Sequence, residues 1–166
     1  VMKSQNNTVL IVEDIAIQRR SLVALMHKMG YATQDAESGA VAERLMRSKP
    51  PSVILLDWHL PDTDALSLLG RWQTDEGLRW IPVIVVTGNS EPDQISLALD
   101  AGAVDFVSKP GREGELCARV RAALRLKSLQ DNLRELSVRD PLTGLHNRRY
   151  FYERLSGEVQ RADRYG

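Results

Sequence analysis

Five short apolar runs, each followed by a stretch with helical spacing, constrain this chain more than any other feature. The runs are Thr8–Val12, Tyr31–Ala36, Val53–Leu56, Ile81–Val86 and Val104–Val107. Helical patterns are predicted between and after them, over 15–29, 39–49, 64–74, 92–101 and from 112 to about 136. Gly30 and Gly102 stop two of these helices, Ser38 caps one, and Pro50-Pro51 ends it. Strict strand–helix alternation implies a parallel sheet with helices on both faces. The Val, Ile and Leu content of the first, third and fourth runs marks them as central strands, buried on both sides. The predicted fold is a doubly wound α/β sheet of five strands. In open sheets of this class, chemistry sits beyond the carboxyl ends of the strands.

Those ends carry a specific set of groups. Glu13-Asp14 follows the first strand, Asp57 the third, Thr87-Gly88 the fourth, and Ser108-Lys109-Pro110 the fifth. Any one of these acids alone reads as a turn or cap residue. Together they place three carboxylates, a hydroxyl and an ammonium on one rim. Clustered carboxylates raise one another's pKa unless a cation is present. Mg²⁺ suits such a set, because it takes one or two carboxylates, waters and phosphate oxygens. Lys109 adds a second positive group and Thr87 a hydrogen-bond donor. The pattern describes a site that stabilises a phosphoryl group on a carboxylate, where catalysis is positioning and charge neutralisation.

Charge excludes some alternatives. The chain has 22 Lys and Arg against 22 Asp and Glu, with 43% hydrophobic residues. That balance argues against a dedicated nucleic-acid binder and supports a packed core. Residues 1–110 hold ten basic and fourteen acidic side chains, and residues 111–166 hold twelve and eight. Interspersed Arg and Glu in the second part read as a solvated helix face. The single cysteine, Cys117, cannot form an internal disulfide and fits a reducing compartment. No apolar stretch approaches the roughly 20 residues needed to cross a bilayer. The expected location is cytoplasmic, with neither membrane nor DNA as a partner. Nothing after Gly111 reads as a helix-turn-helix, and no Gly-rich phosphate loop supports a flavodoxin-like cofactor binder.

The pattern Glu13-Asp14, Asp57-Trp58-His59-Leu60-Pro61, Thr87-Gly88 and Lys109-Pro110 resembles the receiver domain of two-component response regulators, over about residues 7–125. The resemblance implies the flavodoxin-like strand order 2-1-3-4-5. It makes Asp57 the phospho-acceptor, supplied by a cognate histidine kinase or phosphotransfer protein. Asp14 and Asp57 would ligate Mg²⁺ directly, Glu13 through water, and His59 through its backbone carbonyl. Lys109 would bind a phosphoryl oxygen. Thr87 would move toward the phosphate, with Phe106 following as the aromatic switch residue. Lys109–Pro110 resembles the family's cis peptide. Two features depart from the pattern. Ala65 stands where the family commonly has Gly, so the loop after Asp57 is expected to differ in detail. Trp58 and His59 are bulkier than usual beside the acceptor.

The last third carries a second pattern. Leu126, Leu129, Leu133 and Leu136 are spaced three, four and three, a heptad seam. Beyond about Lys127 the helix outruns a five-stranded domain, and its apolar stripe needs a partner. Residues 126–139 are therefore expected to form a linker or stalk between two copies of the chain. Asp140-Pro141-Leu142-Thr143-Gly144-Leu145, with Asn147-Arg148-Arg149, is similar to the entry signature of GGDEF diguanylate cyclase domains. That resemblance implies that residues 140–166 begin such a domain and that the parent protein condenses two GTP into cyclic di-GMP. Residues 140–166 lack the nucleotide and metal ligands and the GGDEF motif of a cyclase. The chain itself is therefore expected to do no more than receiver phosphoryl transfer and autodephosphorylation.

The expected function is a phosphorylation-controlled module that acts on the output domain through the face of helix four, strand five and helix five, which continues into the stalk and would pair in a homodimer. The alternative is a dimerisation scaffold of the same fold that works without phosphorylation.

Overall fold

A computed structural model describes residues 7–88, 92–109 and 113–138. Ten elements alternate along the chain: β1 (Thr8–Val12), α1 (Ala16–Lys28), β2 (Ala32–Ala36), α2 (Gly39–Ser48), β3 (Val53–Asp57), α3 (Ala65–Thr74), β4 (Val83–Thr87), α4 (Pro92–Asp100), β5 (Asp105–Ser108) and α5 (Glu113–Val138). The five strands form one parallel sheet in the order β2-β1-β3-β4-β5. This is the doubly wound α/β fold expected from the alternation.

The pleat divides the core in two. One set of strand residues, among them Leu10, Ile54, Leu56 and Val85, packs with Met46, Leu68, Leu69 and Trp72 from α2 and α3. The alternate set, including Val9, Ile11, Leu55 and Ile84, packs with Met26 of α1 and Leu116, Val120 and Ala123 of α5. Adjacent strand residues point to opposite faces. Every residue of β1 and β4 is buried, as central strands require. The edge strand β2 is mostly half-buried.

Local chemistry sets most of the boundaries. Ser38 caps α2 by accepting the Val41 N–H at 3.3 Å, and Asp64 caps α3 by accepting that of Ser67 at 2.8 Å. Gly30 and Gly102 follow α1 and α4 with φ of 82° and 105°, the backbone that ends a helix. Strands β2, β3 and β5 shift by a residue from expectation, and β4 shifts most. β4 begins at Val83 rather than Ile81, because Pro82 has no N–H for the ladder; its carbonyl still accepts from Ile54 at 3.0 Å. The Ala65 loop needs no special backbone: no non-glycine residue among those described has positive φ, and Ala65 is the fully buried first residue of α3.

The chain divides into two units, Val1–Lys127 and Ser128–Gly166. The first contains the sheet. The described part of the second is helical through Val138. In α5, Leu126, Leu129 and Leu133 are exposed. The cis peptide expected at Pro110 and the domain start expected over 140–166 lie outside the described residues.

Candidate functional site

The sheet register brings the expected groups to one rim. β1 and β3 pair Val12 with Leu56, so Glu13 and Asp57 emerge side by side. β3 and β4 pair Asp57 with Val86, and β4 and β5 pair Thr87 with Ser108. The Lys109 N–H then donates to the Thr87 carbonyl at 2.6 Å. One carboxylate oxygen each from Glu13, Asp14 and Asp57 lies within 4.8 Å of the others. Glu13 is buried, Asp57 half-buried and Asp14 exposed.

Lys109 bridges the acids. Its ammonium donates to Glu13 Oε2, to Asp57 Oδ1 at 2.7 Å and to Gln18 Oε1 at 2.8 Å. Glu13 Oε1 accepts the Ile15 N–H at 3.2 Å, and Asp57 Oδ2 that of His59 at 3.3 Å. Burial pushes the Glu13 carboxyl above the usual carboxylate range, although the Lys109 ammonium pulls it down. With all three acids ionised, one ammonium leaves two negative charges uncompensated. An oxygen-only donor set with that surplus fits a small hard divalent cation, and Mg²⁺ meets the description.

The remaining candidates take defined places. Thr87 is buried at the end of β4. Phe106 is buried in the core with Ala98 and Ala103. His59 forms an isolated bridge with Asp64 and, with Asp57 and Lys109, lines an open cavity of about 780 Å³ between the site and α1. Trp58 is buried in the core cluster that also holds Ala65 and Leu69.

Two residues escaped the sequence reading. Gln18 holds Lys109, and Arg19 Nη1 donates to the carbonyls of Glu13 at 2.7 Å and Asp14 at 3.1 Å. Arg19 Nε also pairs with Asp35 at 3.1 Å. Both lie in the first turn of α1. Their signal was present: two long polar side chains one helical turn after a pair of acids.

A parallel 2-1-3-4-5 sheet with an acidic cluster and a bridging lysine at its carboxyl rim defines a class. The model of the response regulator receiver domain matches residues 9–121, and the chain belongs to that family. Receiver domains bind Mg²⁺ at an acidic pocket and take a phosphoryl group from a donor such as a histidine kinase. Among curated relatives, the phosphate regulon transcriptional regulatory protein PhoB of Pseudomonas aeruginosa is 37% identical over 118 residues, covering 71% of this chain and 52% of the relative. The transcriptional regulatory protein KdpE of Mycobacterium tuberculosis is 39% identical over 120 residues, covering 70% and 50%. The chain thus spans about half the length of the curated relatives it matches. Among solved structures, the receiver domain of a Syntrophus aciditrophicus signal transduction histidine kinase is 32% identical with a TM-score of 0.67, covering 72% of this chain and 90% of that one. A Francisella response regulator receiver domain is 25% identical with a TM-score of 0.67, covering 72% and 97%. Among the described residues no helix is long and apolar enough to cross a membrane.

Proposed function

We propose that this chain is the phosphorylation-controlled input of a cytoplasmic two-component regulator, with Asp57 as its phospho-acceptor. The observation that carries this reading is the Lys109 ammonium bonded to Asp57 beside two further carboxylates. An Asp57 oxygen attacks the phosphorus of a phosphohistidine donor. A P–O bond forms, the P–N bond breaks, and its electron pair leaves on the imidazole, which takes a proton from solvent. Asp14 and Asp57 would hold Mg²⁺ directly, Glu13 through water and His59 through its carbonyl. The ion would neutralise charge on the phosphoryl oxygens. Lys109 binds one of those oxygens. Thr87 donates to another, and Phe106 repacks behind it, a local charge change biasing a two-state element.

Phosphorylation acts on the face of α4, β5 and α5. Leu97 and Leu99 of α4 and Val104 before β5 are exposed, and Arg119 of α5 pairs with Asp105 of β5. Two copies pairing through this face, and through a seam of Leu126, Leu129 and Leu133, would bring two output domains together. The domain division we assign is receiver over 7–125, linker over 126–139 and the start of the output domain from 140. The signature over 140–149 supports a diguanylate cyclase output. The curated relatives are transcriptional regulators, but they match over 116–120 residues, about a receiver's length, so their names do not bear on the output domain.

Acetyl phosphate with Mg²⁺ should label the chain on Asp57, and Asp57→Asn should abolish the label. Undiminished labelling of that variant rejects the acceptor assignment and favours the phosphorylation-independent scaffold. Full-length protein incubated with GTP should yield cyclic di-GMP; specific DNA binding without that product would replace the cyclase output.

A further inference from the structure

We infer that Gln18 is a positioning residue for phosphoryl transfer, acting through Lys109. The inference rests on the reading of Asp57 as acceptor and assigns a role that the acidic cluster and lysine do not include.

An ammonium has three donors. The three acceptors around Lys109 are Glu13 Oε2, Asp57 Oδ1 at 2.7 Å and Gln18 Oε1 at 2.8 Å. Two of these belong to carboxylates that also face the cation cluster. A divalent cation would draw on the same carboxylates, and phosphorylation converts Asp57 from a carboxylate into an acyl phosphate. Gln18 is the one acceptor of the three outside that competition. Its amide oxygen is neutral, so it holds the ammonium without adding a charge that would repel an incoming phosphoryl group.

The backbone beneath Gln18 is fixed. Its neighbour Arg19 ties α1 to the carbonyls of Glu13 and Asp14 and to the Asp35 carboxylate. Gln18 also lines the cavity that opens on Asp57 and Lys109. The geometry therefore keeps the ammonium over Asp57 while its carboxylate partners are engaged elsewhere. Hydrogen bonds to a charged group in a partly buried site are among the stronger ones.

The test is a double-mutant cycle on the full chain, with acetyl phosphate as donor and saturating Mg²⁺. Gln18→Met keeps length and removes the carbonyl. It should slow labelling of Asp57 by about tenfold, the effect of one charge-assisted hydrogen bond. The Mg²⁺ affinity, read from Trp58 fluorescence, should stay within about threefold, since the ion's carboxylates are untouched. In a Lys109→Gln background the same substitution should change the rate by less than about twofold. Gln18→Ala, with its thermal midpoint measured alongside, gives a second route should the Met variant fold poorly. Unchanged labelling by both variants, or an equal loss in both backgrounds, overturns the assignment. No labelling of the unmodified chain rejects the acceptor reading and this role with it, so the two failures are told apart.

Discussion

Asp62 caps a helix to which it does not belong: its Oδ1 accepts the Gly39 N–H at 2.9 Å. Oδ2 accepts that of Ala40 at 2.9 Å, and Ser38 takes Val41, so the first three N–H groups of α2 are all satisfied. The loop after Asp57 is thereby fastened to α2. A Cβ on Gly39 would meet Thr63 Cγ2 at 2.6 Å, so glycine is what permits the close approach. The N–H of Ala40 is the main reason the Asp62 carboxyl lies below the usual range. A depressed folded pKa means a contribution present above the unfolded value of about 3.9 and lost as pH falls through the folded one. Asp62→Ala should cost about 1 kcal/mol at neutral pH. Denaturant titrations at pH 7 and pH 3 check it: the gap between parent and variant should shrink in acid.

The acid cluster predicts linkage to a divalent ion. At Mg²⁺ a hundredfold above its Kd, stability should rise by about 2.7 kcal/mol. Asp14→Asn combined with Asp57→Asn should remove that gain, because the surplus negative charge is gone. Urea midpoints with Mg²⁺ and with a chelator measure the difference; equal midpoints for the parent chain would exclude a cation at this rim.

Arg19 holds the backbone that presents Glu13 and Asp14, and its side chain is only 17% exposed. Arg19→Met keeps the stem and loses the guanidinium. It should lower stability by about 1–2 kcal/mol and weaken Mg²⁺ binding by several-fold, since Asp14 loses its fixed backbone. Trp58 fluorescence reads the second effect; unaltered affinity would reduce the clamp to a purely structural contact.

Two glycines should respond in opposite directions. Gly70 lies exposed within α3 with open space where a Cβ would stand, so Gly70→Ala should stabilise by about 0.5–1 kcal/mol. Gly102 has φ of 105°, and its Cβ would fall 2.2 Å from Gln73 Nε2. Gly102→Ala should destabilise by about 1–3 kcal/mol. Thermal unfolding of both variants is the measurement.

Much of this was legible in the residues. β1 falls where its apolar run lies, and the Ser38 cap and the Gly30 and Gly102 stops are local effects that one segment can declare. The rim residues were legible because chain topology puts every strand's carboxyl end on one side. What stayed hidden depends on tertiary contact. Gln18 looks like any solvent-facing helix residue until β5 delivers Lys109 from 91 positions away. Asp62 looks like an ordinary turn residue until α2 arrives beside it. The start of β4 was misplaced because Ile81 is apolar and buried without being in the ladder.

The bond between Asp57 and Lys109 spans 52 positions, so its two ends leave the ribosome well apart in time. All three acids are translated before the lysine that bridges them. A nascent chain halted between β3 and β5 would carry a negative pocket with no built-in counter-charge. The pocket therefore gains its counter-charge only when β5 docks and brings Lys109 to the rim.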